Sequence, residues 1–460
     1  MTATPRPANT LSFEQSVDTS FGQSVDTSYL KTLFFLLWFY AILGRLGAHI
    51  GVPLGGGVGI YPGDVLLLVG ILLVLFTAEY TYFFHSPVAL IWVLFIIWNS
   101  AQTLPYISQY GLVALRDGAL WGYSFFAFIV ASIILAHPKN FVTFFNFYRP
   151  FARIYPLLIP FLFVLSYLAQ NDIIGQDYGI YVKSTEVLAH AIGAFAFVAL
   201  GFAAVPWYWR WVICLDVCLY GVQGRGGLLG FAMGAIMLAV AIPRTIKQYV
   251  LLGSIFAMII IFAVVANVRF QTDFAARTFS TDQLMLNITS IFEQTRDPLV
   301  NDTREWRLDW WGRIINYTFY GPYFFAGKGY GINLADDDGF QTFDPNEEYQ
   351  LRSPHNSHLT FLARSGVPGL ALWIALQVSW FWMVFRTLLF MRHTGRRAGE
   401  GILGFVLTYW AAYLAAAATD VALEGPLVGI WFWVIFGVGM AMSQLLRRHP
   451  DLLDPVQPIT

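Results

Sequence analysis

The sequence predicts an all-α polytopic membrane protein with about 12 transmembrane helices and one large, partly helical periplasmic or extracellular loop between helices 9 and 10. Three observations support this: a composition too apolar for a soluble protein, a series of long apolar stretches, and an uneven distribution of Lys and Arg. Residues of the AVILMFWYC set make up 57% of the 460 residues and charged residues 12%, whereas soluble proteins carry about 25% charged residues. The net charge of −1 gives no overall basic field, so we expect no nucleic-acid partner.

The apolar stretches are each near the length of about 20 residues that a helix needs to cross the hydrocarbon. They lie near 30–49, 63–81, 87–104, 113–136, 152–169, 186–203, 205–221, 226–243, 248–267, 367–390, 401–418 and 425–446. These stretches divide the chain into helices 1–9 (30–267), a large loop (268–366), helices 10–12 (367–446) and a short cytoplasmic tail (447–460).

The polar first 29 residues contain a direct duplication, Phe13–Ser20 followed by Phe21–Ser28. A repeat so short and so rich in Ser, Thr and Asp buries no core, so we expect residues 1–29 to form a disordered cytoplasmic tail. Cys214 and Cys218 lie four residues apart on one apolar helix face, and we interpret them as packing residues.

The distribution of Lys and Arg indicates the orientation of the helices, because cytoplasmic loops carry an excess of both. With the N-terminus inside, the outer turns contain only Arg45, Lys183 and Arg225. The inner loops contain many more: Lys139, Arg149, Arg153, Arg210, Arg244, Lys247, Arg386, Arg392, Arg396, Arg397, Arg447 and Arg448. Both termini are therefore predicted to be cytoplasmic, and the loop near 268–356 to face outward.

The predicted outer loop contains an amphipathic helix over Asp302–Phe319. Trp306 and Trp310 share one face, and tryptophan-rich faces favour the lipid headgroups. We therefore expect this helix to lie flat on the outer leaflet, with Arg304 and Arg307 at the depth of the phosphates. In the alternative interpretation, the helix is only an anchor and its arginines contact lipid phosphates.

Two further polar runs in the loop resemble ligand sites only weakly. Gly327–Gly331 (GKGYG) lacks the strand–loop–helix setting of a nucleotide fold, so a tight turn is favoured. Asp336–Gly339 (DDDG) fails as a calcium loop, because Phe340 occupies a position that needs an oxygen ligand. We interpret it as a solvated acidic turn and predict no metal site and no cofactor.

The most informative stretch is LRSPHNSHLTFLARSGVPGL, residues 351–370. Asn356 or Ser357 can cap a helix that Gly366, Pro368 and Gly369 then interrupt. Arg352, His355 and His358 therefore meet where the loop enters the membrane. Imidazole exchanges a proton near neutral pH, and guanidinium grips phosphate oxygens in pairs. The alternative is that the histidines are structural hydrogen-bond donors.

Charged residues within apolar stretches are costly and therefore point to function. Five lie near the predicted outer face: Arg116, Asp117, Arg225, Asp420 and Glu424. A structural ion pair of Arg116 with Asp117 or with Asp420 is the alternative. The glycines that flank Arg225 indicate a turn that a ligand can approach closely.

Several of these segments together resemble the O-antigen ligase and polymerase superfamily. The resemblance covers roughly 29–446 and includes the predicted topology. Its motifs are RSPHNSHLTFLARSGVPGL, GKGYG, WRLDWWGRI, PGDVLLLVG, RDGALWGY, GRGGLL and DVALEGPLVGIWFW.

The resemblance implies a metal-independent GT-C glycosyltransferase without a cofactor, located in the bacterial inner membrane. Such enzymes move a glycan from undecaprenyl diphosphate to an acceptor hydroxyl at the outer leaflet, in the synthesis of O-antigen, lipopolysaccharide or exopolysaccharide. The acceptor is a glycan or lipid A–core, and membrane lipids surround the enzyme. Arg225, Arg307 and His355 match the family's catalytic positions, and Arg304 competes with Arg307 for the diphosphate.

The candidate site residues therefore fall into three groups. Catalytic roles go to His355, Arg225 and Arg307, and diphosphate binding to Arg225, Arg304, Arg307 and Arg352. Supporting roles go to Arg116, Asp117, Asn356, His358, Asp420 and Glu424.

Three alternatives to a ligase remain open at this point. A polymerase would join repeat units on the lipid carrier, using the same diphosphate grip. A transporter or flippase would fit the number of helices, although no related halves are visible. A non-catalytic assembly protein would keep the fold without the chemistry.

Overall fold

The computed structural model describes residues 19–55, 58–170, 180–265, 269–270, 279–280, 284, 286, 298–341 and 351–453. These residues are mostly helical. The helices are Thr19–Leu43, Arg45–His49, Pro62–Phe76, Tyr80–Phe83, Pro87–Tyr110, Leu112–Asp117, Ala119–Gly122, Phe125–Ala136, Asn140–Gln170, Ser184–Ala199, Trp209–Gln223, Arg225–Ala241, Ile246–Val265, Pro298–Phe319, Leu334–Asp338, Ser357–His393, Arg397–Ala417 and Pro426–Arg448, with a 3₁₀ turn at Pro243–Thr245. Two short antiparallel pairs join Val52–Gly55 to Val58–Ile60 and Arg269–Phe270 to Phe279–Ser280.

The prediction of a helical membrane protein is supported, whereas the number of twelve spans is not confirmed. Within the described residues, five helices are long and apolar enough to cross a membrane, or seven if each of two bent pairs is one span. Other predicted spans coincide with shorter apolar helices, such as Pro62–Phe76 and Ser184–Ala199. These two helices are therefore shorter than the five that are long enough to cross a membrane.

The first helix begins at Thr19, inside the segment for which we expected disorder. Its residues from Asp26 onward contact the rest of the protein, and Asp26, Tyr29 and Leu30 are buried. This packing extends the helix upstream of the apolar stretch, so the expectation of disorder does not hold for residues 19–29. Residues 1–18 lie outside the described part of the chain.

The core lies around the last two helices, Arg397–Ala417 and Pro426–Arg448, most of whose residues are buried. The helix Arg225–Ala241 packs along the first of them, and Phe125–Ala136 along the second. Gly437 permits this second contact, because a side chain there would overlap the backbone of Ala127. The core helices thus carry the loop between them, residues 418–425, which we call the Asp420 loop.

The helix Pro298–Phe319, which we call the loop helix, buries its tryptophans in protein. Trp310 is fully buried and stacks on Phe340 at 5.3 Å, while Trp306 packs on both rings. The prediction that this face lies in the lipid headgroups is therefore wrong. The face instead forms a second hydrophobic core with Leu362 and Ala363, at the start of the helix Ser357–His393.

The glycine-rich run and the acidic turn form one structural unit beneath the loop helix. Gly327, Gly329 and Gly331 all have positive φ, which explains their glycine content. Lys328 forms ion pairs with Asp337 and Asp338, and Asp338 accepts a hydrogen bond of 2.7 Å from Trp310 Nε1. The glycine-rich run is therefore a turn, as predicted. Residues 336–338 instead belong to the short helix Leu334–Asp338, and Asp338 is buried, so the prediction of a solvated acidic turn is wrong.

The helix Ser357–His393 bends near its start. Gly366 has φ 69° and ψ −172°, and a side chain there would overlap the carbonyl groups of Phe324 and Phe325. The predicted interruption therefore exists, but the helix resumes at once. This bend leaves the first turn, with His355 just before it, beside the loop helix and the Asp420 loop.

Candidate functional site

A cavity of about 490 Å³ opens between the loop helix, the Asp420 loop and the start of the helix Arg225–Ala241. Five predicted site residues line it: Arg225, Arg304, Arg307, His355 and Asp420. Tyr181, Lys183, Thr185, Trp311 and Thr419 complete much of its wall. Residues from five distant parts of the chain therefore line one cavity.

Arg225 is the first residue of its helix, and the glycines around it pack against protein. A side chain at Gly226 would overlap the Thr419 hydroxyl, and one at Gly227 would overlap the backbone of Ser184. The expectation that these glycines give a ligand access to the turn is therefore corrected. They allow the turn to approach its neighbours closely, which places the Arg225 guanidinium in the cavity wall.

Arg304 and Arg307 lie one turn apart on the loop helix, as the i, i+3 spacing requires. Arg307 Nη1 donates a hydrogen bond of 3.2 Å to the carbonyl oxygen of Thr419. This bond fixes the loop helix to the Asp420 loop. The cavity therefore has Arg225 on one wall and two further guanidiniums on another.

His355 is held by the residues on either side of it. Trp311 Nε1 donates to the Pro354 carbonyl at 2.8 Å, and the Asn356 side chain caps the next helix by accepting from His358 and Leu359 N–H groups. His355 itself has φ 52°, a left-handed backbone conformation that is uncommon for residues other than glycine. Its imidazole is 30% exposed, and Nδ1 lies 3.8 Å from Asp420 Oδ1.

Asp420 is the most heavily contacted carboxylate of the cavity. Lys183 Nζ lies 3.1 Å from Oδ1, Thr185 Oγ1 donates to Oδ2 at 2.8 Å, and the Val421 N–H donates to Oδ1 at 2.8 Å. Burial alone would raise the pKa of Asp420, but Lys183 and His355 hold it below the usual value. Burial would lower the pKa of Lys183, yet Asp420 holds that pKa above its usual value. The pair is therefore ionised at neutral pH.

Lys183 and Thr185 were missed by the sequence analysis, which treated Lys183 only as a cation of an outer turn. Lys183 sits just before the helix Ser184–Ala199, and its backbone N–H donates to Glu186 at 3.4 Å. A lysine beside an apolar helix with an acidic residue three positions later was the available signal. Its partner, Asp420, lies in a distant loop that the sequence does not connect to it.

Asp117 gathers a separate cluster of cations. Arg352 Nη2 lies 2.9 Å from Asp117 Oδ2, Arg364 Nη2 lies 3.0 Å away, and Arg116 Nε lies 3.7 Å from Oδ1. Arg352 also donates to the Gly331 carbonyl at 3.0 Å. Arg352 does not line the cavity, because Asp117 and Gly331 hold its guanidinium, so its role in diphosphate binding stays a prediction. Arg364, which the sequence analysis overlooked, is almost fully buried here.

His358, Asn356 and Glu424 support the backbone around His355. His358 accepts from Trp373 Nε1 at 3.0 Å through Nδ1 and lies 3.1 Å from the Leu414 carbonyl through Nε2. Glu424 accepts from the Thr360 hydroxyl at 2.8 Å. None of the three is part of the cavity lining, so their contacts fix the helix start against the Asp420 loop.

The comparison with known families follows the same segments. Residues 210–374 match the family model described as O-antigen ligase. We call residues 210–374 the matched domain. No curated protein matches the chain. The domain includes Arg225, Arg304, Arg307 and His355, whereas Lys183 and Asp420 lie outside it.

The match confirms the resemblance to the O-antigen ligase and polymerase superfamily. It implies a membrane protein with glycosyltransferase activity of the ligase or polymerase type, acting on a lipid-linked glycan and an acceptor. The matched domain therefore contributes the three arginines and the histidine, and segments outside it contribute the lysine and the carboxylate.

Proposed function

We propose that the protein is a metal-independent glycosyltransferase that moves a glycan from undecaprenyl diphosphate to an acceptor hydroxyl at the outer leaflet of the bacterial inner membrane. The observation that carries this proposal is the cavity in which Arg225, Arg304 and Arg307 face His355 and Asp420. The predicted excess of Lys and Arg in the opposite loops supports cytoplasmic termini and an outward-facing cavity.

The arginines suit a diphosphate leaving group. Breaking the bond between the anomeric carbon and the phosphate oxygen leaves negative charge on the diphosphate. Guanidinium groups form charge-assisted, paired hydrogen bonds with phosphate oxygens. Because they are held in place by Thr419 and by the Arg225 turn, they stabilise this charge without having to rearrange.

His355 suits the acceptor side of the reaction. As the acceptor oxygen bonds to the anomeric carbon, its proton passes to the imidazole, with Nδ1 oriented by Asp420 and Nε2 left for the hydroxyl. The Asp420 carboxylate stabilises the imidazolium that forms. Lys183 and Thr185 keep Asp420 in position and ionised.

The ligase form is our first choice within this chemistry, because the matching family is described as O-antigen ligase. In that form the acceptor is lipid A–core or another surface glycan. In the polymerase form the acceptor is a repeat unit on a second lipid carrier. Because the cavity chemistry is the same in both forms, they are distinguished by the lipid-linked glycan that accumulates when the protein is absent.

The test is to extract undecaprenyl-linked glycans from a strain that lacks the protein and to size them by mass spectrometry. Long chains on the carrier support the ligase, and single repeat units support the polymerase. Complementation with Arg225→Ala or His355→Ala should leave the accumulation unchanged at equal protein level. Arg313→Ala is the matched control, since Arg313 is an exposed arginine of the same loop helix that does not line the cavity.

Two outcomes would contradict the proposal. Normal surface glycan in a strain with Arg225→Ala would show that Arg225 does not bind the diphosphate in this cavity. Lipid-linked glycans confined to the inner face in the deletion strain would indicate a flippase.

A further inference from the structure

A second polar cluster lies away from the cavity and takes no part in the proposed transfer. It joins Asp26 of the first helix, Glu79 in the turn after the helix Pro62–Phe76, and His137 at the end of the helix Phe125–Ala136. His137 directly follows the bent helical segment 112–136, whereas Asp117 lies near the start of that segment. By the predicted orientation, this cluster faces the cytoplasm. Asp26 belongs to the second copy of the duplicated octapeptide, a motif that the proposed function leaves unexplained.

The three side chains have the separations of a metal-binding set. His137 Nε2 lies 3.5 Å from Glu79 Oε1 and 3.7 Å from Asp26 Oδ2, and one ligand atom from each residue lies within 4.8 Å of the others. In a tetrahedral zinc site with bonds of about 2.1 Å, neighbouring ligand atoms are about 3.4 Å apart. The two separations from His137 are therefore close to those around a zinc ion.

The two carboxylates of this cluster are buried beside a single imidazole. Asp26 is fully buried, and neither of its carboxylate oxygens has a hydrogen-bond partner among the described residues; Glu79 Oε2 is in the same state. Buried carboxylates without partners are costly and rare. Burial, and then the neighbouring Asp26, raise the pKa of Glu79 to about 8. The site therefore requires either a shared proton or a cation.

Glu79 follows a residue with an unusual backbone conformation. Ala78 has φ 57°, an uncommon conformation for a residue with a side chain. His137, whose side chain is 23% exposed, leaves a route by which an ion can enter. Two carboxylates and one imidazole form a mixed oxygen and nitrogen set that suits zinc and similar divalent metals.

We propose that Asp26, Glu79 and His137 bind a divalent transition-metal cation of the zinc class. The ion neutralises both carboxylates and links the first helix to the two neighbouring helices. This role is structural and independent of the glycosyl transfer proposed for the cavity.

The test uses the full-length protein in detergent, stripped with a chelator and then titrated with Zn²⁺ in a calorimeter. Wild type should bind one Zn²⁺ per chain, and its melting temperature should rise with Zn²⁺. Loss of an outer-shell partner weakens metal sites by about 10- to 100-fold, so removing a ligand in Glu79→Gln or His137→Gln should weaken binding by about 100-fold or more. His85→Gln is the matched control, because His85 is an exposed imidazole close to Glu79 in the chain.

Two results would overturn the inference. One is wild-type protein that binds no stoichiometric Zn²⁺; a melting temperature that rises as the pH falls through 8 would then identify a shared proton in place of the ion. The other is Zn²⁺ binding to Glu79→Gln and His137→Gln that equals wild type while both variants elute as folded monodisperse protein. Since His137 is partly exposed, His137→Gln keeps the test informative even if the buried Glu79→Gln fails to fold.

Discussion

His355 Nδ1 lies 3.8 Å from Asp420 Oδ1, across the junction between the loop that precedes the helix Ser357–His393 and the loop between the last two helices. Asp420 is itself fixed by Lys183, Thr185 and the Val421 N–H. The Asp420 carboxylate is therefore held in a fixed position beside the histidine. This relationship ties the histidine of the matched domain to residues outside that domain.

The first prediction concerns the charge of Asp420. Asp420→Asn keeps the size of the side chain but removes the negative charge beside the imidazole, so glycan transfer should fall by about 100-fold. Transfer is measured with purified protein in proteoliposomes, using a lipid-linked glycan and an acceptor. Asp309→Asn, an exposed carboxylate on the loop helix, should transfer at the wild-type rate. Unchanged transfer by Asp420→Asn would separate Asp420 from the chemistry.

The second prediction concerns the ion pair of Lys183 with Asp420. Lys183→Met should lower the free energy of unfolding at neutral pH by about 1 to 2 kcal/mol, because a buried carboxylate loses its partner. The value is smaller than for a fully buried pair because the Lys183 side chain is 38% exposed and solvent screens it.

The pH dependence of this stabilisation follows from the two pKa directions. The folded pKa of Asp420 lies below its usual 3.8, so the pair stabilises the fold above about pH 4 and the effect is lost as the pH falls below that. The folded pKa of Lys183 lies above its usual 10.5, so the effect persists through neutral pH and is lost only at very alkaline pH. Melting temperatures of wild type and Lys183→Met should therefore converge on acidification. A constant difference down to pH 3 would contradict the pair.

The sequence predicted some parts of the site well because single residues stood out locally. Asn356 carries a helix-capping pattern, and the structure confirms this cap. Arg225 and His355 stand out as single polar residues, and both line the cavity, while their catalytic roles stay predictions. The pairing of Lys183 with Asp420 left no local signal, since it depends on how distant helices pack. The predicted contact of Trp310 with lipid is wrong because an amphipathic pattern shows that a helix face is apolar without showing what covers it. The ion pair of Arg352 with Asp117 likewise left no local signal, because the two residues are remote in the chain.

The third prediction concerns the close packing of the Arg225 turn. Gly226→Ala would push a methyl group into the Thr419 hydroxyl and toward Thr185, since a Cβ there lies 3.0 Å from Thr185 Cγ2. The turn must shift, and the Arg225 guanidinium with it, so transfer should fall by about 10-fold or more because small misplacements cost large factors. The control is Gly253→Ala, where the added Cβ has no atom within 4 Å. Equal transfer by both variants would show that the turn tolerates displacement.

The fourth prediction separates Arg352 from the cavity arginines. Arg352→Ala should mainly reduce stability, since it removes one partner of Asp117, while Arg364 remains 3.0 Å from that carboxylate. Arg307→Ala should weaken donor binding with little change in melting temperature. Crosslinking of each variant to a photoactivatable lipid diphosphate, beside a thermal melt, distinguishes the two effects. Loss of crosslinking in Arg352→Ala at unchanged melting temperature would instead show that Arg352 binds the diphosphate.

The last prediction tests how the loop helix positions His355. Trp311→Phe keeps an aromatic ring in the cavity wall but removes the 2.8 Å hydrogen bond from Nε1 to the Pro354 carbonyl. Loss of one such bond is worth about 1 kcal/mol, which corresponds to about a fivefold fall in transfer if the bond serves only to place His355. Since His355 rather than the arginines is displaced, donor crosslinking should stay at the wild-type level while the turnover falls. Trp306→Phe, which changes a tryptophan of the second core on the same helix, is the matched control and should leave turnover unchanged. A parallel fall in crosslinking and turnover in Trp311→Phe would instead mean that the whole loop helix has moved.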